Sequence, residues 1–175
     1  MPYPTKHSAA AERTRKLATS AILASLGLIF SYIEAILPFS FGIPGIKLGI
    51  ANLVVIIALY TLGRSYALSI NVIRILVAGL LFNGLFGAMY SLAGALLSFA
   101  VMLLLKKTNR FSIVGVSMAG GVTHNVGQLL IAAAMISNLK IFFYFPVLLF
   151  SGMITGILIG IISHFILRRL RRFMQ

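Results

Sequence analysis

Six apolar stretches, most of them about as long as a bilayer is thick, decide what this chain can fold into. They lie near 17–37, 49–63, 66–83, 89–105, 113–137 and 144–167. Roughly 18 or more apolar residues are needed to cross about 30 Å of hydrocarbon. In that medium no water bonds a stray backbone N–H or C=O, so a spanning segment must close its hydrogen bonds within itself. The expected fold is all-α: a polytopic membrane protein with six transmembrane helices. A transmembrane β-barrel would show short alternating segments instead.

Breaks between the stretches follow turn chemistry. Pro38, Gly42, Pro44 and Gly45 interrupt the chain after the first span, and Gly63-Arg64-Ser65 after the second. Asn83-Gly84 and Gly87 separate the third from the fourth, and Asn138 and Pro146 bracket the last crossover. The second stretch is the shortest.

Charge gives direction. Lys6, Arg13, Arg15, Lys16, Arg64, Lys106, Lys107, Arg110, Arg168, Arg169, Arg171 and Arg172 fall on one side, against Lys47 and Lys140 on the other. By the positive-inside rule both termini are cytoplasmic and the protein is a multi-pass component of the cell membrane. The expected organisation is a basic tail over 1–16, a six-helix domain over 17–167 and a second basic tail over 168–175. The net charge of +13 is spread over loops and tails rather than along one face, which argues against nucleic acid.

Only Glu12 and Glu34 are acidic, and there is no Asp or Cys. Thiolate metal sites and disulfides are excluded, no cofactor or metal is expected, and carboxylate-based catalysis has little to work with. The chain also lacks the G-x-x-x-x-G-K-[ST] phosphate loop needed to use ATP by itself.

Polar residues inside the spans carry the functional signal. Arg74 stands in the middle of the third span, where an arginine costs at least about 2.5–3.5 kcal/mol and so faces a cavity or partner. Asn71 and Ala78 share its side of the helix. In the fifth span Ser117, Gly121, His124 and Gln128 form a stripe with Asn125 beside it, while Glu34 and Asn52 lie late in the first span and early in the second. At 1.5 Å per residue, Arg74 and His124 lie roughly 12 and 16 Å from the basic side, and Glu34 about 25 Å. Arg74 must therefore stretch outward by most of its length to reach Glu34. Two readings stand: these groups lock the third helix to the fifth, or they line a pocket anchored by Arg74 for an anionic or carbonyl-bearing ligand. Small residues mark close helix approach: Gly152, Gly156 and Gly160 in the last span, and Ser91, Ala95 and Ser98 in the fourth. The Gly152/Gly156/Gly160 ridge has two uses, within the chain or between chains. In the first span Ser20/Ala24 and Ala21/Ser25 form a candidate partner face.

Several motifs together resemble a known family: the run Gly45-Ile46-Lys47-Leu48-Gly49-Ile50-Ala51-Asn52-Leu53, Arg74, Ser91-Leu92-Ala93-Gly94 with Ser98 and Met102, Gly115-Val116-Ser117, His124-Asn125-Val126-Gly127-Gln128 and Pro146-Val147-Leu148. Over residues 17–165 the chain resembles the Gx transporter family, also described as heptaprenyl diphosphate synthase component I. That family is similar to the S components of energy-coupling factor (ECF) transporters. The resemblance implies an S-component-like bundle that binds a small molecule near the outer face, with the loop after the first helix as a lid. It implies partners too: a membrane coupling protein meeting a small-residue face of the first helix, and two cytoplasmic ATPases. Relatives linked to flavin-based extracellular electron transfer and quinone metabolism imply the alternative role of a non-catalytic scaffold. Catalysis by the synthase mechanism needs Mg²⁺ held by aspartate-rich motifs, which this sequence does not contain.

Overall fold

The computed structural model describes residues 6–37 and 49–173. Six α-helices follow in order: α1 (Lys6–Ile36), α2 (Ile50–Thr61), α3 (Arg64–Ala78), α4 (Gly84–Thr108), α5 (Ile113–Ile136) and α6 (Phe145–Phe173). A π-helical turn, Gly79–Asn83, joins α3 to α4, and a 3₁₀ turn, Leu139–Tyr144, leads into α6. No strand occurs among the described residues. The Pro- and Gly-bearing loop expected as a lid, with Lys47, lies outside them.

Four helical segments are long and apolar enough to cross a membrane: Ala9–Ile36, Arg64–Thr108, Ile113–Ile136 and Leu139–Arg172. The 45-residue stretch Arg64–Thr108 holds two of the expected spans. It folds back at the π turn, where Gly84 has φ +68° and Gly79 lies directly against Ala88. A side chain on Gly79 would collide with the Ala88 methyl. Large apolar residues cover the outside, among them Ile22, Ile73, Leu80, Leu85, Phe86, Leu104, Phe143 and Phe165, each more than half exposed. So continuous an apolar surface suits lipid rather than water. Helices α1 and α6 run unbroken into the basic segments at 6–16 and 168–173.

Helix α2 is the exception. Its 12 residues rise only about 18 Å, too short to cross a bilayer alone. Apart from Asn52 and its last two residues it is apolar, and it sits in the centre with Ala51 and Val54 to Leu59 buried. Around it pack Ala67 and Ile70 of α3, Phe99 and Met102 of α4, Val116 of α5 and Ile159 of α6. A short helix in an apolar interior exposes unpaired N–H groups at one end and carbonyls at the other. Both ends are closed by charges of the matching sign. Glu34 Oε1 accepts the Ile50 N–H at 2.6 Å, and Lys106 Nζ donates to the Leu59 carbonyl at 2.5 Å while resting 4.5 Å from the centre of the Tyr60 ring. Each charge also opposes the partial charge of its helix end.

Helices α4, α5 and α6 associate differently. The glycines of the α6 ridge face α5: Gly152 packs on Gly121, Gly156 on Ser117 and Met118, and Gly160 on Val114 and Ser117. On the other side of α5, Gly127 lies against Ala93 and Gly94 of α4, where an added Cβ would fall 2.8 Å from the Ala93 carbonyl oxygen. The ridge therefore serves a neighbour within the chain. Close approach brings hydroxyls within reach of neighbouring carbonyls: Ser117 Oγ donates to the Gly156 carbonyl at 2.6 Å, and Ser98 Oγ to that of Gly120 at 2.8 Å.

Removing the cap at the C-terminal end of α2 should lower stability. Lys106→Met is expected to cost about 1–2 kcal/mol, read as a drop in thermal midpoint in detergent, whereas Lys107→Met, whose side chain is exposed, should leave the midpoint in place. Equal midpoints for the two variants would remove the capping role.

Candidate functional site

The site begins on one face of α1. Gly27, Ser31 and Glu34, four and then three residues apart, point towards α3 and α2. Without a side chain at Gly27 the stem of Arg74 lies against α1; a Cβ there would come within 2.9 Å of Arg74 Cδ. The guanidinium then reaches outward. Nη1 donates to Ser31 Oγ at 3.1 Å, and the Ser31 hydroxyl donates in turn to the Gly27 carbonyl at 2.9 Å. Nη2 donates to Asn71 Oδ1 at 2.7 Å, one turn earlier on α3. Arg74 is only 7% exposed, and its Nε has no hydrogen-bond partner among the described residues. A buried donor left this way costs roughly 1–3 kcal/mol unless something else meets it.

Arg74 opens on a cavity of about 70 Å³ bounded by residues from all six helices. At least about 10–15 Å³ by this measure holds one water, so the space fits several waters or a small polar group. Six of the seven residues proposed from sequence line it: Glu34, Asn52, Arg74, His124, Asn125 and Gln128. Asn71 does not line the cavity; it stands behind Arg74 and holds the guanidinium in place. Arg74 does stretch towards Glu34, and its contact on α1 is Ser31, one turn short of that carboxylate. Glu34 nevertheless acts electrostatically on Arg74.

The opposite wall belongs to α5. Asn125 Nδ2 donates to the Leu148 carbonyl at 2.7 Å and lies 3.3 Å from Ser151 Oγ, tying α5 to α6. His124 and Gln128 fold over Gly94 of α4, where a Cβ would lie 2.8 Å from Gln128 Cγ and 3.1 Å from His124 Cε1. Arg74 is therefore bonded to α1 and to its own helix, and those bonds do not lock α3 to α5. The cavity lies between Arg74 and the α5 stripe.

Sequence reasoning missed Ser31 and Thr155 as lining residues. The Gly27–Ser31–Glu34 spacing was a usable signal for Ser31. Thr155 offered none, since its hydroxyl makes the ordinary bond to the Ser151 carbonyl four residues back. No group of three or more His, Cys, Asp or Glu able to hold a metal occurs among the described residues.

A family model described as heptaprenyl diphosphate synthase component I matches residues 23–166, most of the chain and every residue of this cavity. The chain belongs to the heptaprenyl diphosphate synthase component I family. No curated protein and no solved structure gives a significant match. The description "component I" marks the family as one part of a multi-component system, and the four long apolar helices mark this member as a membrane protein.

Ser31 supports Arg74 directly, so Ser31→Ala should leave Nη1 short of a partner and lower the thermal midpoint by about 1–3 kcal/mol of stability. Ser25→Ala, on the exposed side of the same helix, should not. An unchanged midpoint for Ser31→Ala would show that the guanidinium finds another acceptor.

Proposed function

We propose that this component I protein is a membrane substrate-binding subunit, similar to an S component, of a small-molecule uptake system energised by separate partners. In this reading six segments cross the membrane with both termini on the cytoplasmic side. Helix α2 crosses as a short buried element sheathed by the others, and the cavity opens near the outer face. The observation that carries the reading is the partnerless Nε of Arg74, buried beside a polar cavity that all six helices line. Ionisable groups within a membrane mark binding sites and pathways more often than they serve as scaffolding.

The charge balance points to ligand class. Glu34 shares the cavity with Arg74 and acts on it electrostatically while holding the α2 N-terminus; amides, hydroxyls and an imidazole complete the lining, and Arg74 Nε is the donor left to meet an acceptor. A small ligand with a carboxylate or carbonyl oxygen answers that surface; an aromatic portion would lie towards Ile56, Ile75 and Met102. On α1, Ala21 and Ser25 are exposed, while Ser20 and Ala24 are half-buried, with Ala24 packed on the core. The exposed pair is the proposed face for a coupling protein. Ala21→Phe should then reduce co-purification of a membrane partner without changing the thermal midpoint, and undiminished co-purification would move the face elsewhere.

The family description favours a second reading, an accessory subunit without catalytic chemistry that serves a prenyl diphosphate synthase. With no Asp in the chain, Mg²⁺–diphosphate chemistry of the aspartate-rich kind has no ligands here. Flavin-based electron transfer is another setting for the same accessory role.

Native mass spectrometry of gently solubilised protein separates these readings. The expected result is a retained small, non-lipid mass that weakens at least about tenfold in Arg74→Gln and partly in Arg74→Lys, which keeps the charge but loses the planar fork. Thermal midpoints of the variants report whether the bundle still folds. A folded Arg74→Gln protein that keeps the mass would overturn the site. Wild-type protein that is empty but bound to a synthase subunit would favour the accessory role.

A further inference from the structure

At the basic end of α6, far from the cavity, a second cleft of about 260 Å³ lies between His164, Leu167, Arg168, Arg171 and Arg172 and the first residue of α5, Ile113. Leu167 is buried at its base, and the charged side chains are exposed around it. Cations three and four residues apart on one helix repel one another. No carboxylate side chain stands beside them among the described residues. Glu12 pairs with Lys16 on α1 at 2.6 Å, Glu34 caps α2 at the opposite end, and these two are all the carboxylate side chains in the sequence. An anionic molecule reaching this end of the bundle would be drawn to the cations.

The helix face leading to the cleft indicates what kind. Ile154, Leu158, Ile161 and Phe165 recur at four-, three- and four-residue steps, each at least 40% exposed. The next two steps along that face are Arg168 and Arg172. From Ile154 to Phe165 the rail is about 17 Å long, close to half of a ~30 Å hydrocarbon core. An apolar track one leaflet deep that ends in arginines matches an amphiphile with a chain and an anionic head. Guanidinium groups pair with phosphate oxygens through two parallel hydrogen bonds, and basic pockets at the cytoplasmic ends of membrane helices suit lipid head groups.

We propose that the α6 cleft and rail form a binding site for a phosphate-headed amphiphile of the bilayer. The head sits between His164 and Arg168, Arg171 and Arg172, and the chain lies along Ile154 to Phe165. This uses none of the cavity residues and stands whether or not the cavity binds a ligand.

The test is native mass spectrometry of the full chain from mixed micelles holding equal phosphatidylglycerol and phosphatidylcholine, with inorganic diphosphate as a soluble competitor. The expected result is selective retention of phosphatidylglycerol. Arg168→Gln/Arg171→Gln/Arg172→Gln should reduce it about tenfold. The Lys triple variant, which preserves charge and insertion, should fall between. A control with the same loss of charge at the same end, Arg13→Gln/Arg15→Gln/Arg110→Gln, should stay near wild type. Equal retention of the two lipids, or equal loss in both Gln triples, would overturn the site. Release of the lipid by inorganic diphosphate at matched concentration would reassign the cleft to a free phosphate and overturn the amphiphile.

Discussion

Everything else in this bundle depends on how the ends of α2 are closed. An apolar helix of 12 residues in the centre of the bundle leaves polar backbone groups at each end that its own turns do not satisfy. A carboxylate from the end of α1 meets its first N–H, and an ammonium from the end of α4 meets one of its last carbonyls. Those two contacts bridge 16 and 47 residues of chain and tie three helices together at opposite ends of the molecule. With its ends satisfied, α2 can be apolar but for Asn52 and its last two residues, and serve as the core on which Ile70, Phe99, Val116 and Ile159 pack.

Two kinds of packing then place the cavity. Helices α4, α5 and α6 meet through glycines, backbone against backbone, with little side-chain volume between them. Helices α1, α2 and α3 meet through large side chains around the α2 core. The two groups join where α2 contacts α6 and α3 contacts α4. A close-packed glycine surface and a side-chain surface do not mate along their full length, and polar residues from both face the gap that remains. Gly27 and Gly94 show the same logic at smaller scale: each omits a side chain so that Arg74 on one side, and His124 with Gln128 on the other, can lie flat against a helix.

Much of this was legible in the sequence, and the rest was hidden for a physical reason. Helix positions followed from apolar length, and α5 came out as Ile113–Ile136 against an expected 113–137. Arg74, His124 and Gln128 were legible because a polar group in an apolar run has to be satisfied somewhere, and periodicity gives its side of the helix. What periodicity does not give is the partner. Arg74 meets Ser31, which is 43 residues earlier, and an isolated serine in a membrane helix usually bonds only its own backbone, as Ser20 and Ser25 do here. Glu34 read as one of the groups lining a pocket. That it caps a helix depends on where α2 begins, after a loop whose course the sequence does not specify.

The same capping bond bears on what the cavity can accept. A carboxylate beside a buried arginine would ordinarily neutralise it and close the site to anions. Here one oxygen of that carboxylate holds the start of α2 while its charge still acts on Arg74, and the guanidinium hydrogen-bonds to a serine and an asparagine that orient it. Asn52, three residues into α2, lines the same cavity. In the proposed reading, a ligand that displaced Glu34 from the Ile50 N–H would loosen the α2 N-terminus and so link occupancy of the cavity to the seating of the central helix. In the proposed reading that linkage supplies a route by which a bound molecule reaches the energising partners: α2 contacts α1, which carries the exposed Ala21 and Ser25 face, and its far end is held by Lys106 on the basic side of the bundle.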